Sequence, residues 1–591
     1  MRTFYHVRSR RTVLIATIRP PKGAIPGKNG ASTSFPTPRR YDPYIGLEPL
    51  QTCFLDAEKT VAAPDIYAYD GVPEDMPQPA LGSRELLKIR DDVCFDRFGR
   101  YGPYGLGYGK DLGGIGPSNE TESSSSKHRH FWAESGLIDY RRVDWDAAQK
   151  RCYDANKAQP PTTTAQSPAP DTTRTAIVIR GYEGFAWTPM AILNVRAMVT
   201  ELSLKTGGAY AVHLLMQVKD AAFPLSAPPP AAVRAAYLNA HVPAEFHGLV
   251  TLWSEHQMRQ LYAGDYSTGF RNPTGRDVHD VYRSPHLALQ SFARAHPEFR
   301  HFWNWELDVR VLGSYYEMLA RIGAWADARP RALLWALSER YYVPRHHHRS
   351  WDNFTRVVRQ QEAARDQPPP GPIDAPWRTR LSSEEAGGSA SVLPPACLDD
   401  RDGASCGVGE AADLVTLSPL FDVARSGWFF AHDVTGYDRS LWTALPRRAA
   451  IVTAGRYSRR LLLAMDEEVG RHNRSMFAEM FPATVALHHG FKAVYAPHPV
   501  HLSRAWAPAD VDRHYNSGER HSTSGRRGPF SLATERVHAV SSWYYKNRFS
   551  QHLWQRWLGH GGSDGESEAG GGPMCLQSML LHPIKQEHPS E

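Results

Sequence analysis

The sequence predicts an α/β fold, with a mostly parallel sheet flanked by helices. Three observations carry that expectation. From Thr175 onward, short β-branched runs alternate with stretches of helical periodicity. The first three such elements read strand–helix–strand, a unit that favours parallel pairing with right-handed crossovers. A later apolar run, FRHFWNWELDV (299–309), carries Glu306 and Asp308 two positions apart, so a strand would send both carboxylates to one face.

Each element has its own signal. TAIVIR (175–180), ended by Gly181, reads as a buried strand. Thr188-Pro189 opens a helix through 190–205, because proline suits the first helical turn. Ile192, Val195, Val199 and Leu202 supply its apolar stripe, and Gly207-Gly208 stops it. YAVHLLMQVKD (210–220) and GLVTLWS (248–254) read as further strands, 284–296 and 314–327 as helices. The spacing predicts mostly helix over 446–472, helical segments around Pro482, a strand at 491–500 and a short aromatic helix within 541–559.

Around this domain, set at 172–515, the composition changes. Residues 1–40 read as a disordered basic N-terminus, 41–171 as an irregular region whose RFGRYGPYGLGYG run is ordered and wrapped, and 365–410 as a disordered insertion. Residues 516–591 read as a C-terminal extension with flexible loops. The chain has 591 residues, 41% hydrophobic and 22% charged, enough for a large core. A net charge of +6 with no basic stripe gives no case for nucleic acid. The six cysteines contain no CxxC pair, which argues against structural zinc and leaves room for one or two disulfides. No run spans a membrane, and VLIATI (13–18) is too short for a signal peptide. No GxSxG stands between a predicted strand and helix as an elbow would, and there is no HExxH helix, which argues against a hydrolase.

Paired carboxylates need a cation: a divalent metal holding a phosphate, or arginines. Ligands sit at the carboxyl ends of parallel strands. Arg180 and Asp220 fall there. Arg180 either faces a nucleotide or pairs with Glu183, and Asp220 either holds a nucleoside or N-caps a helix. Arg283 is a further candidate for phosphate. Glu479 is the candidate general base, with Asp433 its rival. His498 is a candidate third metal ligand. His488-His489 read as packing a helix end, His346–His348 as a solvated loop, and Trp303 and Trp305 as core.

This layout resembles the GT-A fold of nucleotide-sugar-dependent glycosyltransferases. WNWELDV stands at the DxD motif of that fold, with Glu306 for the first Asp. AEMFPATVALHHGFKAVYAPHPV (478–500) resembles its late helix–strand segment, with Met480 where a second acid often lies. At closer range the chain from about Tyr41 to Lys585 resembles a fungal family, the domain of unknown function 3405 proteins. The resemblance rests on RYDPY, VCFDRFGRYGPYGLGY, VTELSLKTGG, FWNWELDVR, DVTGY, ALHHGFKAVYAPHPV and MLLHPIK. The GT-A resemblance implies a divalent metal (Mn²⁺ or Mg²⁺), a nucleotide-sugar donor and a glycan, protein or lipid hydroxyl as acceptor, while the family name itself states no activity. The family resemblance also implies the secretory pathway, since members often look N-terminally anchored. A non-catalytic glycan- or partner-binding protein and a sugar-phosphate nucleotidyltransferase are the alternatives.

Overall fold

The computed structural model describes residues 37–47, 50–73, 76–116, 131–132, 136–157, 174–225, 229–267, 272–363, 405–438, 445–560 and 574–588. The expected disorder of 1–40 and of 365–410, and the loops at 118–130, 157–173 and 559–573, lie wholly or mostly outside them.

Seven strands form the central sheet: β1 (Arg174–Tyr182), β2 (Tyr210–Gln217), β3 (Val250–Trp253), β4 (Phe299–Glu306), β5 (Leu414–Thr416), β6 (Gly455–Ser458) and β7 (Ala493–Tyr495). Their spatial order is β7-β5-β6-β4-β1-β2-β3. All run parallel except β6, which is antiparallel to both β4 and β5. Ala176, Ile177, Val178 and Ile179 of β1 are buried on both faces, as a central parallel strand should be.

The main helices around the sheet are α1 (Trp145–Asn156), α2 (Pro189–Met198), α3 (His286–Ala295), α4 (Tyr315–Asp327), α5 (Leu334–Ser338), α6 (Trp351–Ala363), α7 (Arg459–Gly470), α8 (Phe481–His488), α9 (Pro508–Tyr515) and α10 (Phe549–Trp557). The predicted start of α2 holds. Thr188 caps it by accepting the Ala191 N–H, and Pro189 occupies its first turn.

Two expectations need correction. Residues 446–472 are not mostly helical: 455–458 form β6, and α7 begins only after Ser458, whose side chain accepts the Leu461 N–H. The strand hides in the sequence because its polar residues have buried partners. Arg456 pairs with Asp327, and Ser458 Oγ donates to Asp413 Oδ1 at 2.6 Å. The described part of the C-terminal region is also no loose extension. Leu580–Leu581 pair antiparallel with Arg310–Val311, just beyond the carboxylate pair. A disulfide joins Cys94 to Cys575, and Phe95 bridges Leu576 beside it.

The region before the sheet wraps onto it as expected. Arg100 and Glu201 form a buried ion pair at 2.6 Å, to which the Tyr104 hydroxyl donates at 2.9 Å. Gly105 and Gly107 sit at φ 117° and 97°, a backbone that side chains resist. A second disulfide joins Cys53 to Cys152 on α1, and Cys406 is also disulfide-bonded. The main hydrophobic cluster runs from Tyr41 to Ile584, with smaller ones at Tyr69, Cys94 and Cys575 and around Tyr342 and Phe354.

Candidate functional site

The chain runs outward from β1 through β2 to β3, then returns to place β4 on the other side of β1. Strand order therefore reverses between β1 and β4, and the crevice beyond their carboxyl ends is the switch point where such sheets hold ligands. Arg180 and Glu306 stand opposite each other at those ends. An Arg180 guanidinium nitrogen lies 2.6 Å from Glu306 Oε1, so Arg180 pairs across the strands and not with Glu183. Thr453 Oγ1 donates to the same carboxylate oxygen at 2.7 Å.

Asp308 reaches the site by a route the strand argument misses. β4 ends at Glu306, and the Val309 N–H closes a turn onto the Glu306 carbonyl at 3.2 Å. The turn, not the pleat, brings Asp308 beside Glu306.

The hub of the group is His582, which follows the Leu580–Leu581 strand. Its Nε2 lies 3.1 Å from Glu306 Oε2 and 3.4 Å from Asp308 Oδ1. Its Nδ1 lies 2.9 Å from the Tyr544 carbonyl, the bond that fixes the ring and leaves Nε2 aimed at the carboxylates. Lys585 Nζ lies 2.5 Å from Asp308 Oδ2, on a side chain 69% exposed. The Ile584 N–H donates to the Asp308 carbonyl at 2.9 Å, so the segment is stitched to the turn on both sides.

The charges respond to one another. Burial works against ionisation of Glu306, but the His582 hydrogen bond and the Arg180 charge outweigh it and hold the carboxyl well below its ordinary range. Asp308 is likewise held low by His582 and Lys585 against burial. Burial opposes charge on His582 too, yet Asp308 and Glu306 lift its imidazole to about 9. Two carboxylate oxygens and an imidazole nitrogen around one point are a donor set that suits a divalent ion of the Mn²⁺ or Zn²⁺ kind.

Glu479 stands two residues before α8, half-buried. It is tied to the cluster by the 450–454 loop. The Val452 N–H donates to Glu479 Oε1 at 3.2 Å, while the next residue, Thr453, bonds Glu306. Val452 sits at φ 72°, a conformation that a β-branched residue adopts only under constraint. Burial, with the charges of Glu306 and Glu535 adding to it, pushes the Glu479 carboxyl up to about 8.

Four other candidates lie elsewhere. His498 is fully buried, with Nε2 3.1 Å from the Leu417 carbonyl, and the histidine of the cluster is His582 instead. The Trp543 ring packs against both histidines. Arg283 and Asp433 satisfy each other: Arg283 Nε lies 2.7 Å from Asp433 Oδ1, both side chains buried, so neither is a free phosphate ligand or base. Their backbones brace the Glu479 turn, Arg283 accepting from Ala478 and Asp433 from Phe477. Asp220 is exposed and spends Oδ1 on the Ala222 N–H at 2.8 Å, capping a turn after β2. Trp303 and Trp305 are core, and His488 and His489 pack the end of α8 against Pro446 and Glu468.

Sequence reasoning passed over His582, although it lies in the MLLHPIK ending used as a family mark. A histidine inside an apolar run, followed three residues later by lysine, was the available signal.

Residues 94–586 match the sequence model of the family described as protein of unknown function (DUF3405). No curated protein and no solved structure matches the chain.

Proposed function

The chain belongs to the DUF3405 family, and from its site we propose a metal-dependent glycosyltransferase that takes a nucleotide-sugar donor and a glycan, protein or lipid hydroxyl as acceptor. The observation that carries this is the meeting of Glu306, Asp308 and His582 at the switch point between β1 and β4. The order of elements also supports a GT-A-like reading. A strand–helix–strand start precedes the acidic strand, and Glu479 precedes a helix leading into β7.

Glu306, Asp308 and His582 would hold the metal, which supplies positive charge against a diphosphate leaving group. Lys585 is an exposed cation at the same carboxylate and is placed to bind phosphate oxygens as a point charge. Arg180 and Thr453 fix the Glu306 carboxylate so that Oε2 faces the His582 side. Glu479 supplies a carboxyl whose proton affinity lies near working pH, the condition under which a general base accepts a hydroxyl proton efficiently.

Calorimetric titration with UDP or GDP in the presence of Mn²⁺ tests the reading. Binding should require the metal and be lost in Asp308→Ala. No binding of any nucleoside diphosphate, with metal affinity unchanged in Asp308→Ala, overturns it. One observation favours a second reading. The two carboxylates are already neutralised by Arg180, His582 and Lys585, as in a structural ion cluster. Nucleotide binding without transfer or donor hydrolysis would mark a binding protein on this fold.

A further inference from the structure

Away from that crevice, the loop after α5 meets α9. His346 and His347 lie on the loop, and Asp512 lies on α9. One ligand atom from each falls within 4.8 Å of the others. His346 Nε2 and Asp512 Oδ2 are 3.8 Å apart, too far for a hydrogen bond. Two ligands at about 2.0–2.2 Å from a tetrahedral ion stand about 3.4 Å apart, so a small closure seats a cation between them.

The surroundings prepare each ligand. The other Asp512 oxygen, Oδ1, accepts from Asn516 Nδ2 at 2.8 Å. Asn516 is itself pinned to both backbone groups of Tyr341, accepting at 2.9 Å and donating at 3.0 Å. That relay turns Oδ2 toward the histidines, as supporting bonds do around metal ligands. The buried His347 ring is held by a parallel Tyr342 ring at 6.2 Å and by Phe354 at 5.0 Å. Arg340, which lines the same cleft, is bound to Glu362 at 2.8 Å. His521 lines that cleft too.

We propose that His346, His347 and Asp512 form a second divalent-metal site, best suited to Zn²⁺, that ties the loop after α5 to α9. The donor set of two imidazoles and one carboxylate matches zinc, with the remaining position open to water.

The test uses the full chain, stripped with a chelator and titrated with Co²⁺ and Zn²⁺. In an Asp308→Asn background, Co²⁺ should still bind with visible absorption, and Zn²⁺ should raise the melting temperature by several degrees. Adding His346→Ala or Asp512→Asn should abolish both responses. His346 is exposed, so its removal leaves the fold intact. In the otherwise unaltered chain, His346→Ala should lower Co²⁺ uptake by one equivalent. Metal responses that survive both His346→Ala and Asp512→Asn, or their absence in the Asp308→Asn chain while that chain melts cooperatively, overturn the proposal. Uptake of a single equivalent that His346→Ala removes and Asp308→Asn leaves supports this site and counts against the one at Glu306.

Discussion

At the scale of single residues, Glu479 and Arg283 give opposite kinds of prediction. The Glu479 carboxyl is held at about 8 against an ordinary value of 4.5. Between those values the folded chain keeps a proton that the unfolded chain has released. Stability from this group is therefore complete below about pH 4.5, falls as pH rises and levels off above about pH 8. Glu479→Gln should flatten that slope, worth about 1.4 kcal/mol for each unit of separation. Melting curves from pH 5 to 9 read it, and transfer should fall at least a hundredfold in the same variant. Arg283→Leu should instead cost about 3–5 kcal/mol, because it strands the buried Asp433 charge. The double change with Asp433→Leu should recover much of the loss in urea denaturation, with metal binding unaltered. These residues also mark what the sequence discloses. Glu306 and Arg180 were legible because the ends of parallel strands are local signals, whereas Asp308 was named from a strand alternation that the turn after Glu306 replaces. His582 was not legible, since the fold brings it to Glu306 from 276 positions away. Arg283 and Asp433 misled for a related reason: a charge looks available in a sequence until its buried partner is seen.

At the scale of elements, the 450–454 loop and the C-terminal strand do the positioning. Val452 is buried as well as left-handed, so Val452→Gly should trade about 1 kcal/mol of relieved strain for a lost apolar side chain worth about 1.5–3 kcal/mol, and the melting temperature should fall. Under the proposed function it should also slow transfer, by loosening the link between Glu479 and Glu306. His582→Ala should leave far-ultraviolet circular dichroism unchanged and weaken Mn²⁺ binding tenfold or more, measured by calorimetry. The strands with β-branched residues were readable from their pattern, and so was α2 from its cap. β6 was not, because Arg456 and Ser458 break the apolar pattern and are satisfied only by Asp327 and Asp413.

At the scale of the whole molecule, the Cys94–Cys575 disulfide holds the segment bearing His582 against the region before the sheet. Replacing both cysteines with serine should cost about 2–5 kcal/mol and weaken metal binding as well, since the Glu306 group loses its anchor. Thermal unfolding with and without Mn²⁺ separates the two effects. The α/β class was legible because alternating periods are written along the chain, whereas the main core from Tyr41 to Ile584 depends on contacts that no window of sequence contains. That long reach also sets a timetable for synthesis. A ribosome delivers β1 through β7 well before residues 580–585, and early domains begin to fold as they emerge. The sheet can therefore form while its crevice still lacks the histidine and the lysine. The Glu306 group would stay incomplete until that segment pairs with the turn after β4, so the order of translation itself makes assembly of the site a late event.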